Sequence, residues 1–91
     1  MKVNRIEIVY CKKCHWLLRS SWIAQELLTS FDDELSEVSL RPGTGGIFEI
    51  KLNNQIIWSL RDKGRFPDIK EIKKLVRDKI APEKSLGHTD R

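Results

Sequence analysis

Two cysteines, Cys11 and Cys14, stand three positions apart, separated by Lys12 and Lys13 and followed at once by His15. Two intervening residues let a pair of sulfurs approach bonding distance, so the pair can cycle between dithiol and disulfide. The nucleophile in such exchange is the thiolate. It attacks a disulfide sulfur, and the second cysteine resolves the mixed disulfide that forms. Nearby positive charge favours the thiolate and brings a thiol pKa of ~8.5 into the range ~3.5–7.5. Cys11 and Cys14 are therefore the candidate redox couple, and Lys12, Lys13 and His15 the candidates for tuning it. His15 could also pass a proton to a leaving thiolate, or simply face solvent.

Three other readings of the pair compete. Cys11-Lys12-Lys13-Cys14-His15 spells C-x-x-C-H, the c-type haem attachment pattern. A second axial ligand is hard to find, because the only methionine is Met1 and the only other histidine is His88, near the C-terminus. Such haem is also attached outside the cytosol, and no export signal is seen. A closed structural zinc site needs four Cys or His ligands, and the whole chain offers Cys11, Cys14, His15 and His88. His15 directly beside Cys14 suits a tetrahedral site poorly, although a site shared between chains could supply missing ligands. The third reading is a pair kept for packing, which the intervening lysines argue against. Thiol–disulfide exchange leads these readings, with no metal and no bound cofactor.

The elements that must carry the pair are legible from periodicity. Val3 to Tyr10 alternates, with Ile6, Ile8 and Tyr10 on one side and Arg5, Glu7 and Val9 on the other, as in a strand. From about Cys14 to Ser30, Leu17, Ala24, Leu27, Leu28 and Phe31 recur at helical spacing with no Gly or Pro. That predicts an amphipathic helix opening at the cysteines, whose free N–H groups and dipole favour a thiolate. Leu35 to Leu40 reads as a second strand, with Val38 and Leu40 on one face, and 42–46 as a loop by composition. Phe48, Ile50 and Leu52 mark a third strand. Asn53-Asn54 suits a two-residue hairpin turn, and Ile56, Trp58 and Leu60 mark the returning fourth strand. Arg61 to Arg65 reads as a charged loop. Asp68 and Glu71 form a capping box ahead of a helix whose stripe is Ile69, Ile72, Leu75, Val76 and Ile80, stopped by Pro82.

The order strand, helix, strand, strand, strand, helix predicts an α/β fold, β-α-β-β-β-α, with a four-stranded mixed sheet. A chain of 91 residues suits one domain, 1–82, followed by a polar tail over 83–91. Hydrophobic residues at 40% and charged residues at 33% suit a globular protein. The net charge of +4, from 17 Lys+Arg against 13 Asp+Glu, is interleaved along the chain and forms no dense basic stripe. Nucleic-acid binding is therefore not expected. No apolar run approaches the ~20 residues of a membrane span, and the N-terminus lacks the apolar stretch of a signal peptide, so a cytoplasmic protein is expected. Two closely spaced cysteines in a reducing compartment fit redox chemistry better than a structural bridge.

Val9-Tyr10-Cys11-Lys12-Lys13-Cys14 closing the first strand, together with Gly46-Ile47-Phe48-Glu49-Ile50 opening the third, resembles the selenoprotein W-like (Rdx) family. Lys63-Gly64-Arg65-Phe66-Pro67 and Lys73-Lys74-Leu75-Val76-Arg77-Asp78 resemble its bacterial, cysteine-containing members, and the likeness runs from about Val3 to Ile80. The resemblance implies a thioredoxin-like fold and a redox role linked to glutathione or dithiol proteins. Selenoprotein members carry selenocysteine at the position of Cys14, which makes Cys14 the attacking group. The thioredoxin analogy makes it Cys11, and both assignments stand at this point. Thioredoxins also place a cis-proline beside their cysteines, and the nearest equivalent here is Pro42.

Gly43, Thr44, Gly45 and Gly46 form a candidate substrate-proximal loop, able to bring backbone groups close to a bound thiol, or else a plain connector. Trp16, two residues past Cys14, is a candidate docking residue or a half-buried helix residue. Trp22 and Trp58 are expected to serve packing. Joint exposure of Trp16 and Trp22 would instead point to a partner-binding patch. The alternative function is an interaction module whose docking is gated by the redox state of the pair, without turnover.

Overall fold

The computed structural model describes residues 3–87. Alternating Ile6, Ile8 and Tyr10 form the buried side of strand β1 (Asn4–Cys11). Helix α1 (Leu17–Ser30) crosses over to β2 (Leu35–Gly43), which pairs parallel with β1. β3 (Phe48–Leu52) lies antiparallel on the other side of β1, and β4 (Gln55–Ser59) antiparallel beside β3. The sheet order is β2-β1-β3-β4, so β1 is an inner strand. A short turn of helix, α2 (Leu60–Lys63), and a longer helix, α3 (Ile69–Ile80), complete the elements among the described residues. The fold is therefore α/β, β-α-β-β-β-α with a four-stranded mixed sheet, as the periodicity predicts. The core joins Ile6, Ile8, Phe48 and Ile50 of the sheet to Leu27 and Phe31 of the first helical segment and to Ile72 and Val76 of α3.

Four local expectations need correction. First, α1 opens at Leu17, not at Cys14, because His15 takes a positive φ of 62° that interrupts the helical path. Its buried stripe is Ser20, Ile23, Ala24 and Leu27, while Leu17, Leu28 and Trp22 are exposed. A small serine can line a core face where the sheet approaches closely, and apolarity alone does not register it.

Second, β2 runs on through Pro42 and Gly43, which pair with Tyr10 and Cys11. Proline is tolerated there because β2 is an edge strand, whose outer side has no ladder to complete. Third, the β3–β4 register shifts by one residue, with Ile50 opposite Trp58 and Lys51 opposite Ile56. The shift turns Trp58 inward and leaves Ile56 exposed, so the two do not share a face as alternation predicts. Fourth, the stretch from Arg61 holds the single helical turn α2, capped by the Ser59 hydroxyl accepting from the Asp62 N–H and closed at Gly64 with φ 73°. Leu60 starts this turn instead of extending β4.

The Asn53-Asn54 hairpin turn has φ values of 50° and 71°, the left-handed pair that such turns require. At α3 the capping box is formed, with the Glu71 carboxylate accepting from the Asp68 N–H at 2.9 Å. Glu71 also takes both ends of the Arg65 guanidinium, at 2.8 and 2.7 Å. The Arg65 hydrogen bonds, then the Asp68 N–H, hold the Glu71 carboxyl at about 2, below its ordinary 4.5. A depressed carboxylate pKa adds stability that is complete above the unfolded-state value and is lost as pH falls through the folded one. Glu71→Gln should therefore destabilise the protein at neutral pH. The difference from wild type should close as pH drops from about 4.5 towards about 2 in urea titrations.

Beyond Pro82, Leu86 is only 5% exposed and joins the core, and the Lys84 ammonium reaches Glu34 at 3.2 Å. His88 and the remainder of the chain's C-terminus lie outside the described residues.

Candidate active site

Cys11 is the last residue of β1, where the ladder to β2 ends in the pair Cys11–Gly43. The chain then turns through 12–15. The Lys12 N–H donates to the Gly43 carbonyl at 3.1 Å, and the His15 N–H to the Lys12 carbonyl at 3.4 Å. This turn brings Cys14 back to Cys11. The two are joined as a disulfide, with Cα atoms 5.3 Å apart. The helix dipole acts within its first turn, so an α1 that begins three residues beyond Cys14 reaches the sulfurs less directly than one opening at the pair.

Burial separates the two cysteines. Cys11 is 2% exposed, whereas Cys14 is half-buried. Lys12, Lys13 and His15 are exposed around them. Trp16 is half-buried as the N-terminal cap residue of α1, and its carbonyl accepts from the Ser20 N–H at 3.0 Å.

The sequence did not mark Phe66 as part of this region, yet it ties the region together. Its ring centroid is 4.9 Å from that of Trp16 and 5.0 Å from that of Phe48, both edge-on. The Arg19 guanidinium lies over the Phe66 ring, 4.1 Å from its centroid. Phe66 thus locks the segment after Cys14 to the start of β3. An aromatic flanked by Arg65 and Pro67 in a charged stretch was the available signal.

Gly43 meets Cys11 directly. A Cβ at Gly43 would stand 2.7 Å from Ile47 Cγ2 and 3.3 Å from Val9 Cγ1, so Ile47 occupies the space a side chain would need. Thr44, Gly45 and Gly46 are exposed, with Gly45 and Gly46 at φ 71° and 75°. Gly45 and Gly46 border a cleft with Ser59, Leu60 and Arg61. Gly43→Ala should displace Ile47 and cost about 1–3 kcal/mol, read as a lower urea midpoint at unchanged slope. Gly45→Ala meets no neighbour and carries only the cost of a left-handed backbone, about 1 kcal/mol.

Among the described residues no helix is long and apolar enough to cross a membrane. Comparison with curated proteins returns no match. Among solved structures, a protein of Bordetella parapertussis is 49% identical, with a TM-score of 0.83, covering 85% of this chain and 98% of its own. A selenoprotein W-related protein from Vibrio cholerae is also 49% identical, with a TM-score of 0.82, covering 86% of this chain and 96% of its own. The thioredoxin-like architecture implied by the resemblance is that of these structures. The Rdx family pattern matches residues 5–78, which take in the cysteine turn, Gly43 and Phe66, and the chain belongs to the Rdx family.

Proposed function

We propose that the protein exchanges disulfides for thiols through Cys11 and Cys14, with Cys14 as the attacking sulfur and Cys11 as the resolving one. The observation that carries this reading is the unequal burial of a bonded pair. Cys14 is partly exposed, which leaves it the more accessible of the two, and Cys11 is buried at the end of an inner strand. In the reduced form, the Cys14 thiolate attacks a substrate disulfide, whose S–S bond breaks and releases one thiolate to be protonated. Cys11 then loses its proton and attacks Cys14 in the mixed disulfide. The Cys11–Cys14 bond forms and the second substrate thiol leaves, so two electrons have passed to the substrate. Glutathione or a dithiol protein would return them, and no resident cofactor is required. Lys12, Lys13 and His15 surround the turn with positive or protonatable groups that favour the thiolate.

The test is alkylation rate against pH in Cys11→Ser and Cys14→Ser, alongside turnover of a small disulfide. The expected result is an inflection for Cys14 below ~8.5 and measurable turnover in wild type. An inflection at or above that value, with no turnover, sinks the proposal. Trp22 is exposed while Trp16 is half-buried, so the joint exposure expected of a partner-binding patch is met only at Trp22, and exposed Leu18 beside it is what favours the second reading, redox-gated docking. Partner capture that changes on oxidation, in the absence of turnover, would support that reading instead.

A further inference from the structure

The first two turns of α1 carry an apolar surface that the fold leaves uncovered. Leu18 is 82% exposed and Trp22 49%, one helical turn apart on the same face. With His15, Trp16 and Arg19 they line an open depression of ≈ 590 Å³ beginning one residue past Cys14. An exposed leucine and tryptophan side by side form a small contiguous apolar patch, whose burial against a partner would be favourable.

The charged side chain lining this depression is Arg19, and no carboxylate lines it. Lys12 and Lys13 lie exposed just before it, and the nearest acid along α1, Glu26 one turn beyond Trp22, is paired with Lys73. The Arg19 guanidinium is held in place over the Phe66 ring. A complementary occupant therefore presents apolar side chains beside carboxylates. Glutathione offers carboxylates but no large apolar side chain, so it can use the lysines and gains nothing from Leu18 and Trp22.

Resting on the disulfide-exchange reading above, we propose that this face of α1 selects the substrate. The preferred partner is a polypeptide whose disulfide is flanked by apolar and acidic residues. The docked segment lies along Leu18 and Trp22 and delivers its sulfur to Cys14. Arg19, Lys12 and Lys13 steer it by charge, so the preference weakens as salt rises.

The test uses protein reduced and then freed of reductant, mixed with three synthetic peptide disulfides. One carries Leu and Phe flanked by Glu, one the same apolar residues flanked by Lys, and one Gly and Ser only. Thiol release is followed in a single turnover by mass spectrometry. The acidic–apolar peptide should react about 10-fold faster than either other peptide at low salt, equivalent to about 1.4 kcal/mol of docking. The preference should fall towards unity in high salt and in the double variant Leu18→Ser, Trp22→Ser.

Equal rates for all three peptides, or a preference that survives the double variant, overturn the proposal while leaving disulfide exchange standing. No reaction with any peptide or with glutathione disulfide overturns both. Sedimentation of the wild type and the double variant reads the remaining occupant. A dimer that the double variant dissociates assigns the face to a second copy and overturns the proposal, whereas a monomer in both supports it.

Discussion

Cys14→Ser should lower the rate of disulfide exchange by at least about 10³-fold, because a serine hydroxyl supplies no thiolate near neutral pH. Cys11→Ser should behave differently. Its Cys14 can still attack, so the protein should accumulate a mixed disulfide with the substrate and stall there. Mass spectrometry of each variant after exposure to excess glutathione disulfide checks the pair of outcomes. A glutathione adduct, adding one thiol per chain, is expected on Cys11→Ser and not on Cys14→Ser. The reverse pattern would make Cys11 the attacking sulfur, against the burial that hides it.

The largest effect on stability should come from the ion pair that clamps α1 to α3. Lys73 on α3 is 1% exposed, and its ammonium meets Glu26 of α1 at 2.9 Å. Removing Glu26 leaves a positive charge buried with less to offset its lost hydration, which typically costs 3–5 kcal/mol. The Glu26 side chain is itself about a third exposed. Glu26→Ala is therefore expected to cost about 2–4 kcal/mol, seen as a lower urea midpoint. Replacing both partners, as Glu26→Leu with Lys73→Met, should recover most of that loss. A double variant as unstable as Glu26→Ala would show that the pair contributes more than its mutual neutralisation.

Much of the architecture is readable from residue pattern because alternation and helical spacing follow directly from burial of one face. Ile6, Ile8 and Tyr10, the Asn53-Asn54 turn and the Asp68–Glu71 capping box are local signals with local causes. The features that escaped are set by distant partners. No pattern within Gln55–Ser59 announces that the β3–β4 register slips beside Lys51. Leu86 reads as part of a polar tail until it meets the core. Histidine adopts a left-handed backbone more readily than most residues but still uncommonly, so His15 alone does not announce the break and the helix reads three residues longer than it is.

The site divides in the same way. Spacing identifies Cys11 and Cys14 but treats them alike. Their unequal burial comes from Cys11 lying within the sheet ladder and Cys14 lying outside it. Phe66 is 50 residues from Trp16 in the chain, and only the folded sheet brings their rings together. Trp22, expected in the interior, lies on the outer face of α1 because the stripe through Ser20 and Ile23 takes the inner one.

The inner position of β1 bears on what a change of oxidation state does to the molecule. Cys11 ends a strand flanked by β2 and β3 and itself pairs with Gly43 of β2, and the bond to Cys14 spans a separation of only three residues. Closing so short a ring restricts the denatured chain little, by about 2 kcal/mol. Opening it removes no strand pairing and no helix of the core directly, since Cys14 lies outside both. Reduction should thus loosen a single turn and spare the scaffold, so that the exchange proposed above would need no refolding between one round and the next.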